Sequence, residues 1–363
     1  MSGREIIVDG KIINDASRMY VIAEIGQNHE GDVQKCKNLF KAAKDAGADS
    51  VKLQKRDNRL LYTKDFFNSP YTSENAYAPT YGEHREKLEF DRDEWIDLRD
   101  YSKEIGITLF STAWDYNSAD FLEDIGMPCF KIASGDLKTI PLLKYIASFG
   151  KPMFISTGGA SMKDVLRAYE AVYPINPNIC IMQCTSGYPP TFDELNIRVI
   201  ETYREAFPDI PIGFSSHDNG IAMALAGYML GARALEKHFT LDRTWKGTDQ
   251  AFSLEPQGLR KLCRDLDRLM VALGDGVKTT YPSEEAPLIK MGKKVVAASA
   301  LKAGHTITVQ DIALKSPGGG IEPYYQDFFV GKTLVEDIAE DQDFSFGAVG
   351  SSRAEADVEI GEV

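Results

Sequence analysis

The sequence predicts a closed (β/α)₈ barrel followed by a smaller, mainly β unit. Three observations carry that prediction. Apolar runs with polar ends recur eight times between residues 19 and 238, and a stretch of helical amphipathic pattern follows each one. The alternation fills about 250 residues, the usual size of such a barrel. An open doubly wound sheet would place a glycine-rich phosphate loop after its first strand, whereas that position reads GQNHEG and matches neither GxGxxG nor GxxxxGK[ST].

The predicted strands cover 19–24, 50–54, 108–112, 129–134, 153–156, 179–184, 212–215 and 232–238. The predicted helices cover 33–46, 94–104, 118–125, 141–148, 162–173, 198–206, 221–230 and 256–273. Gly47, Gly106, Gly126, Gly150 and Gly231 stand where helices should stop before the next strand. One connection is long: residues 55–94 hold Tyr71, Tyr77, Tyr81 and the run GEHREKLEF, and loops of that length commonly cover or line a site. A composition shift at Gly274 ends the barrel domain, 1–274. Residues 275–289 read as a linker, 290–347 as a compact unit of short strands and turns, and 348–363 as an acidic, frayed tail.

Composition bounds the function. The chain has 363 residues, 43% hydrophobic and 26% charged, with a formal charge of −13. No clustered Lys/Arg face accompanies that charge, which argues against nucleic acid but leaves room for a small anion held by a few local cations. Neither a signal segment nor a membrane span is indicated, and a cytoplasmic protein is expected. The five cysteines, an odd number, are expected to be reduced thiols, mostly buried, and Cys180 and Cys184 receive no role.

In this barrel the site lies at the C-terminal ends of the strands. Those ends carry Glu24; Lys52 and Gln54; Ser111 and Thr112; Lys131 and Ser134; Ser156 and Thr157; Thr185 and Ser186; Ser215, Ser216 and His217; Glu236, Lys237 and His238. Taken singly, each hydroxyl reads more readily as a helix cap. Converging from separate strands with two lysines, they describe a pocket for a phosphorylated anion. His217 and His238 end neighbouring strands and can meet on one divalent metal, with Glu24 or another carboxylate such as Asp249 as third ligand, or they can be hydrogen-bonded core histidines. His29 and His84 lie on loops and are candidates to assist binding; His305 is expected to be structural.

The runs AEIGQNHEGD, AGADSVKLQ, FSTAWD, FKIASGD, ISTGGAS, CTSGYP, GFSSH and EKHFTLDR, then SPGGGIEP, follow an order that resembles the sialic acid synthase family from about Met19 to about Phe346. The resemblance implies a TIM barrel followed by an antifreeze-like (SAF) domain, in a homodimer where each SAF domain covers the partner's barrel mouth. It implies condensation of phosphoenolpyruvate with the open-chain aldehyde of an N-acylated mannosamine-type sugar. The product is a nine-carbon 2-keto-3-deoxy acid, N-acetylneuraminate or a relative such as legionaminate, plus phosphate. The cofactor implied is a divalent metal, Mn²⁺ or in its place Mg²⁺ or Co²⁺, with His217 and His238 as ligands. Phosphoenolpyruvate falls to Lys52, Thr112, Lys131, Ser134, Ser156 and Ser215, with Ser186 beside them. Glu24, Gln54, Tyr188 and Asp249 fall near the reacting sugar and water, Glu24 and Asp249 as the catalytic pair, and Asn75 is a looser match on the sugar side.

Three positions depart from the family pattern. Many members carry arginine in a KRPG motif of the SAF domain, directed at the sugar's acyl group; here Lys315-Ser316-Pro317-Gly318 puts serine there. Ser186 stands where some members have asparagine, and Asp136 where some have glutamate. These changes point away from N-acetylneuraminate itself, toward legionaminate or a surface or spore-coat product. Two other readings fit less of the chain: a metal-dependent barrel aldolase or deoxy-keto-acid synthase acting on a different sugar, and a catalytically silent SAF-containing binding protein.

Overall fold

A computed structural model describes residues 3–361. Its compact units divide between Gly274 and Asp275. The chain opens with a hairpin absent from the sequence reading, β1 (Glu5–Val8) and β2 (Lys11–Asn14), paired antiparallel around Asp9-Gly10. Eight parallel strands then close into a barrel: β3 (Tyr20–Gly26), β4 (Ser50–Lys55), β5 (Thr108–Ala113), β6 (Phe130–Ile132), β7 (Met153–Ser156), β8 (Ile179–Cys184), β9 (Ile212–Ser216) and β10 (Ala234–His238), with β10 paired to β3.

The surrounding helices are α1 (Val33–Ala46), α2 (Arg92–Glu104), α3 (Tyr116–Asp124), α4 (Ile140–Ala147), α5 (Met162–Val172), α6 (Val199–Ala206), α7 (Ala222–Met229) and α8 (Pro256–Ala272). Local chemistry sets their ends. Asp32 accepts from Lys35 N to start α1, Asp91 and Glu94 form a capping box for α2, and Gly47 ends α1 in the left-handed region at φ 99°.

Side chains alternate across each strand. Val51, Leu53, Ile155, Ile181, Phe214 and Leu235 point outward and pack under the helices. Tyr20, Ile22, Phe110, Phe154, Cys180 and Met182 point inward at the N-terminal half, where Ile6, Val8 and Ile13 of the hairpin join them. The hairpin therefore closes the barrel floor, and Thr108 at the start of β5 donates to Asp9. Above that apolar layer the inward positions become polar.

The 55–94 connection is ordered rather than a bare loop. It contains helical turns at Asn58–Leu61, Lys64–Phe67 and Tyr81–Glu86. Among the described residues no helix is long and apolar enough to cross a membrane, and all five cysteines are buried free thiols.

In the second unit a helix, α9 (Glu285–Met291), begins inside the segment read as linker. β11 (Lys294–Ala297) pairs antiparallel with β12 (Ile312–Lys315) over a core of Val295, Tyr325, Phe328, Phe329 and Phe344. The frayed-tail expectation for 348–363 is corrected for 353–360, which form α10 (Arg353–Ile360). Ser352 and Glu355 make its capping box, Ala356 is fully buried in the same core, and Asp357 accepts from the Tyr325 hydroxyl. The acidic composition hid the apolar contacts of Ala348, Val349, Ala356 and Ile360 and a cap. Residues 362–363 lie outside the described part.

Candidate active site

The C-terminal mouth of the barrel opens into a cavity of about 580 Å³, within the range of small-molecule sites. Glu24, Lys52, Gln54, Thr112, Lys131, Ser134, Ser156, Ser186, Tyr188, Ser215, His217, His238 and Asp249 all line it. Alternation explains which strand ends arrive. Ser111 and Lys237 are one residue out of phase and face outward, where Lys237 pairs with Asp218 at 2.9 Å.

At the deep end, Lys52 lies 2.9 Å from Glu24 Oε2 and 3.8 Å from Glu236 Oε1, and donates to Thr112 Oγ1 at 2.9 Å. Lys131 lies 3.4 Å from Glu236 Oε1, which also accepts from Ser215 at 3.3 Å. Gln54 Nε2 donates to Glu24 Oε1 at 2.7 Å. These groups are nearly inaccessible, so their charges depend on one another. Burial raises the Glu24 carboxyl above its ordinary value, with Lys52 opposing and Glu236 adding to the rise. Burial works the same way on Glu236, but Lys131 and Lys52 outweigh it and hold that carboxyl low. Burial lowers the Lys131 ammonium.

Hydroxyls complete an anion cradle. Ser134 Oγ accepts from Gly158 N at 2.9 Å, and a Cβ on Gly158 would lie 2.0 Å from Ser186 Oγ, so the backbone passes close between two serines. Ser156 Oγ is buried without a partner.

His217 and His238 have ring centroids 5.3 Å apart, close enough to share an ion bound about 2 Å from each nitrogen. Thr185 O can only accept, so its 2.9 Å contact puts the proton on His217 Nδ1 and frees Nε2 as a donor atom. Burial pushes His238 down to about 3, keeping it neutral, and its Nδ1 is buried with no hydrogen bond, 3.6 Å from Asp249 Oδ2. The free Nε2 of His217 and the orphaned nitrogen of a neutral His238 fit a divalent metal, although burial, which lowers His217, is outweighed by Cys184, the Thr185 carbonyl and Glu236, which raise it above its ordinary value. The nearer carboxylate is Asp249 rather than Glu24, which Lys52 and Gln54 engage. Among the described residues no group of three or more His, Cys, Asp or Glu side chains forms a ready-made metal cluster, so such an ion would keep open positions.

Several expectations do not hold. Asn75 lies outside the main cavity: its Oδ1 accepts from Gly247 N at 3.0 Å beside a minor pocket. His29 and His84 are buried supports. His29 Nδ1 accepts from Gly31 N and its ring packs on Phe90, while His84 Nδ1 accepts from Tyr77 N. Lys315 pairs with Asp341, and Ser316 is exposed. Sequence reasoning gave no role to Glu236, Cys184, Arg56, Arg85 and Trp114, which also line the cavity. Glu236 and Cys184 were legible by the period of two, as inward neighbours of His238 and Met182; the other three come from loops, where no period operates.

A family model described as "NeuB family" matches residues 39–278, and one described as "SAF domain" matches 294–343. N-acetylneuraminate-9-phosphate synthase of Mus musculus is 41% identical over 92% of this chain and 93% of its own length. N,N'-diacetyllegionaminic acid synthase of Campylobacter jejuni is 34% identical over 89% of this chain and 97% of its own. The crystal structure of N-acetylneuraminic acid (sialic acid) synthetase from Leptospira borgpetersenii, in complex with citrate, superposes with a TM-score of 0.69 at 29% identity, covering 79% of this chain and 95% of that one. With eight ordered motifs, a closed eight-stranded barrel and these matches in agreement, the chain belongs to the NeuB family and carries a C-terminal SAF domain.

Proposed function

We propose that the chain is a nonulosonic acid synthase that joins phosphoenolpyruvate to an N-acyl hexosamine. The observation that supports this most directly is the paired imidazoles beside a cradle of two lysines and unpartnered or weakly engaged serine hydroxyls, all at one end of the barrel. Lys52, Lys131, Ser134, Ser156, Ser186 and Ser215 hold phosphoenolpyruvate, and Thr112 orients Lys52. Tyr188, with its ring 4.3 Å from that of His217, and Gln54 flank the acceptor.

A divalent ion, manganese in this reading, would be held by His217 and His238 with Asp249 nearby, and would supply electrophilic activation of the sugar aldehyde. C3 of phosphoenolpyruvate bonds to C1 of the open-chain sugar, a water adds to the cationic C2, and loss of phosphate by C–O cleavage leaves the 2-keto-3-deoxy acid. Glu24, its carboxyl raised by burial, takes the proton of that water, and Asp249 assists at the acceptor oxygen. Gln54 fixes the orientation of Glu24. The same proposal includes a cytoplasmic location, consistent with five reduced thiols, and a homodimer in which each SAF domain covers the partner's barrel mouth.

The test is phosphate release from phosphoenolpyruvate with manganese and a panel of aldoses, with the product mass measured. Phosphate release coupled to a nine-carbon keto acid is expected; release with a shorter sugar phosphate only, or none with any aldose, would overturn the assignment.

A further inference from the structure

Backbone pairing stops short of one of the two imidazoles. On one flank of β9 the last registered pair is Ser215 with Cys184 of β8, and on the other it is Ser216 with Lys237 of β10. His217 therefore lies beyond both ladders. His238 is better held, because it pairs with Glu24 of β3 and its carbonyl accepts from Leu254 N at 2.8 Å.

A side chain carries the connection past the end of the ladder. Lys237 Nζ donates to the Asp218 carbonyl at 2.5 Å and to Asp218 Oδ1 at 2.9 Å, and the Ser216 hydroxyl donates to the same Oδ1. Each partner adjoins one imidazole in sequence: Lys237 precedes His238, and Asp218 follows His217. Both are 2% exposed, and among the described residues Asp218 is the one carboxylate within 4.0 Å of Lys237.

A buried ion pair is a weak source of stability, since desolvating both charges consumes much of their attraction. It is a strong source of position. An ammonium that donates to a carbonyl and a carboxylate of one residue fixes that residue's main chain, as an apolar contact does not. The Thr185 carbonyl orients the His217 ring through Nδ1 at 2.9 Å, while the Lys237 bridge anchors the backbone that bears the ring. Two nitrogens sharing one ion must each come within about 2 Å of it, and such sites tolerate errors of only about 0.5 Å.

Resting on the proposed metal site, we propose that Lys237 and Asp218 are positioning residues: their bridge sets the separation of the His217 and His238 rings, and with it the affinity for the divalent ion.

The experiment measures manganese binding by calorimetry on the full chain, in the wild type, in Lys237→Met combined with Asp218→Leu, and in Asp218→Asn. The double variant removes both charges together, so no uncompensated charge stays buried and the fold should hold. It should bind manganese roughly 10- to 100-fold more weakly, the usual cost of losing a group that orients a metal ligand. Phosphoenolpyruvate binding, measured without metal, should stay at the wild-type value. Turnover of the double variant should recover as manganese is raised, which a general loosening of the barrel would not show. Asp218→Asn keeps the carbonyl contact and a side-chain oxygen; it should fall between the two, and it decides alone if the double variant does not fold. Unchanged manganese affinity in the folded variants, or an equal loss of phosphoenolpyruvate binding, overturns the positioning role and leaves the metal site standing. A wild type that binds no manganese removes the metal site and this proposal with it.

Discussion

Glu24→Gln exchanges one oxygen of a buried carboxyl for an amide nitrogen and keeps its shape. In the wild type the two oxygens have different partners, Gln54 Nε2 at 2.7 Å and Lys52 Nζ at 2.9 Å. The amide can satisfy only one of these donors; the other meets an NH₂ group. Lys52 keeps Thr112 at 2.9 Å and Glu236 at 3.8 Å, so its charge is not stranded. The stability cost should be about 1–3 kcal/mol, below the roughly 3–5 kcal/mol of a buried ion pair broken outright. Turnover should fall about 10²- to 10⁴-fold, because a group that accepts the proton of water becomes one that cannot. Lys52 loses a competing anion, so KM for phosphoenolpyruvate should not rise. Burial holds the Glu24 carboxyl above its ordinary value; the acid limb of the wild-type kcat/KM profile should therefore lie above the ordinary carboxylate range and vanish in the variant. Phosphate release at saturating manganese and acceptor gives turnover, KM and the pH profile, and chemical denaturation gives the stability cost. Turnover within about tenfold of wild type, or a loss carried by KM for phosphoenolpyruvate, would refute the role given to Glu24.

Three further predictions follow from other parts of the chain. His217→Ala with His238→Ala should abolish manganese binding in calorimetry, and unchanged binding would remove both residues as ligands. Ile13→Ala, fully buried between the hairpin and the barrel floor, should cost about 2–5 kcal/mol in chemical denaturation; less than about 1 kcal/mol would mean the hairpin does not seal that layer. Burial holds His29 at about 3, below its ordinary 6.5, so the unfolded chain takes up the proton first and the contribution of His29 to stability, complete above pH 6.5, is lost as pH falls toward 3. Between pH 6.5 and 4 the wild type should lose about 1.4 kcal/mol per pH unit relative to His29→Asn; parallel stability curves would contradict it.

The barrel was legible because two periods alternate along it. Runs such as Ile179–Cys184 have no polar interruption, as strands covered on both faces require, and α1 matches its predicted span because Asp32 and Gly47 mark both ends. The hairpin was missed although Ile6 and Val8 alternate with the exposed Ile7 around Asp9-Gly10, a hairpin signature in a segment the reading passed over. Within the site, the strand residues Glu24, Lys52, Thr112, Lys131, Ser156, Ser215 and His238 line the cavity, whereas Ser111 and Lys237, one step out of the period, face outward. Apart from Glu236 and Cys184, which the period of two could have found, the failures, Asn75, His29, His84, Arg56, Arg85 and Trp114, lie on connections, where side-chain direction depends on tertiary contacts rather than on a repeat. A polar type on a loop gave no means of telling the structural His84 from the cavity-facing Arg85 next to it.

The sealed barrel floor bears on traffic as well as stability. With Ile6, Val8 and Ile13 filling the N-terminal end among the described residues, the cavity opens at the C-terminal mouth, where Tyr188 and Arg85 are among the residues that line it. In the proposed condensation, the molecule held on Lys52 and Lys131 would have to descend before the second reactant settles above it, and would stay shut in until that reactant or its product departs. On that proposal the order of entry would be set by a hairpin at the opposite end of the barrel from both molecules.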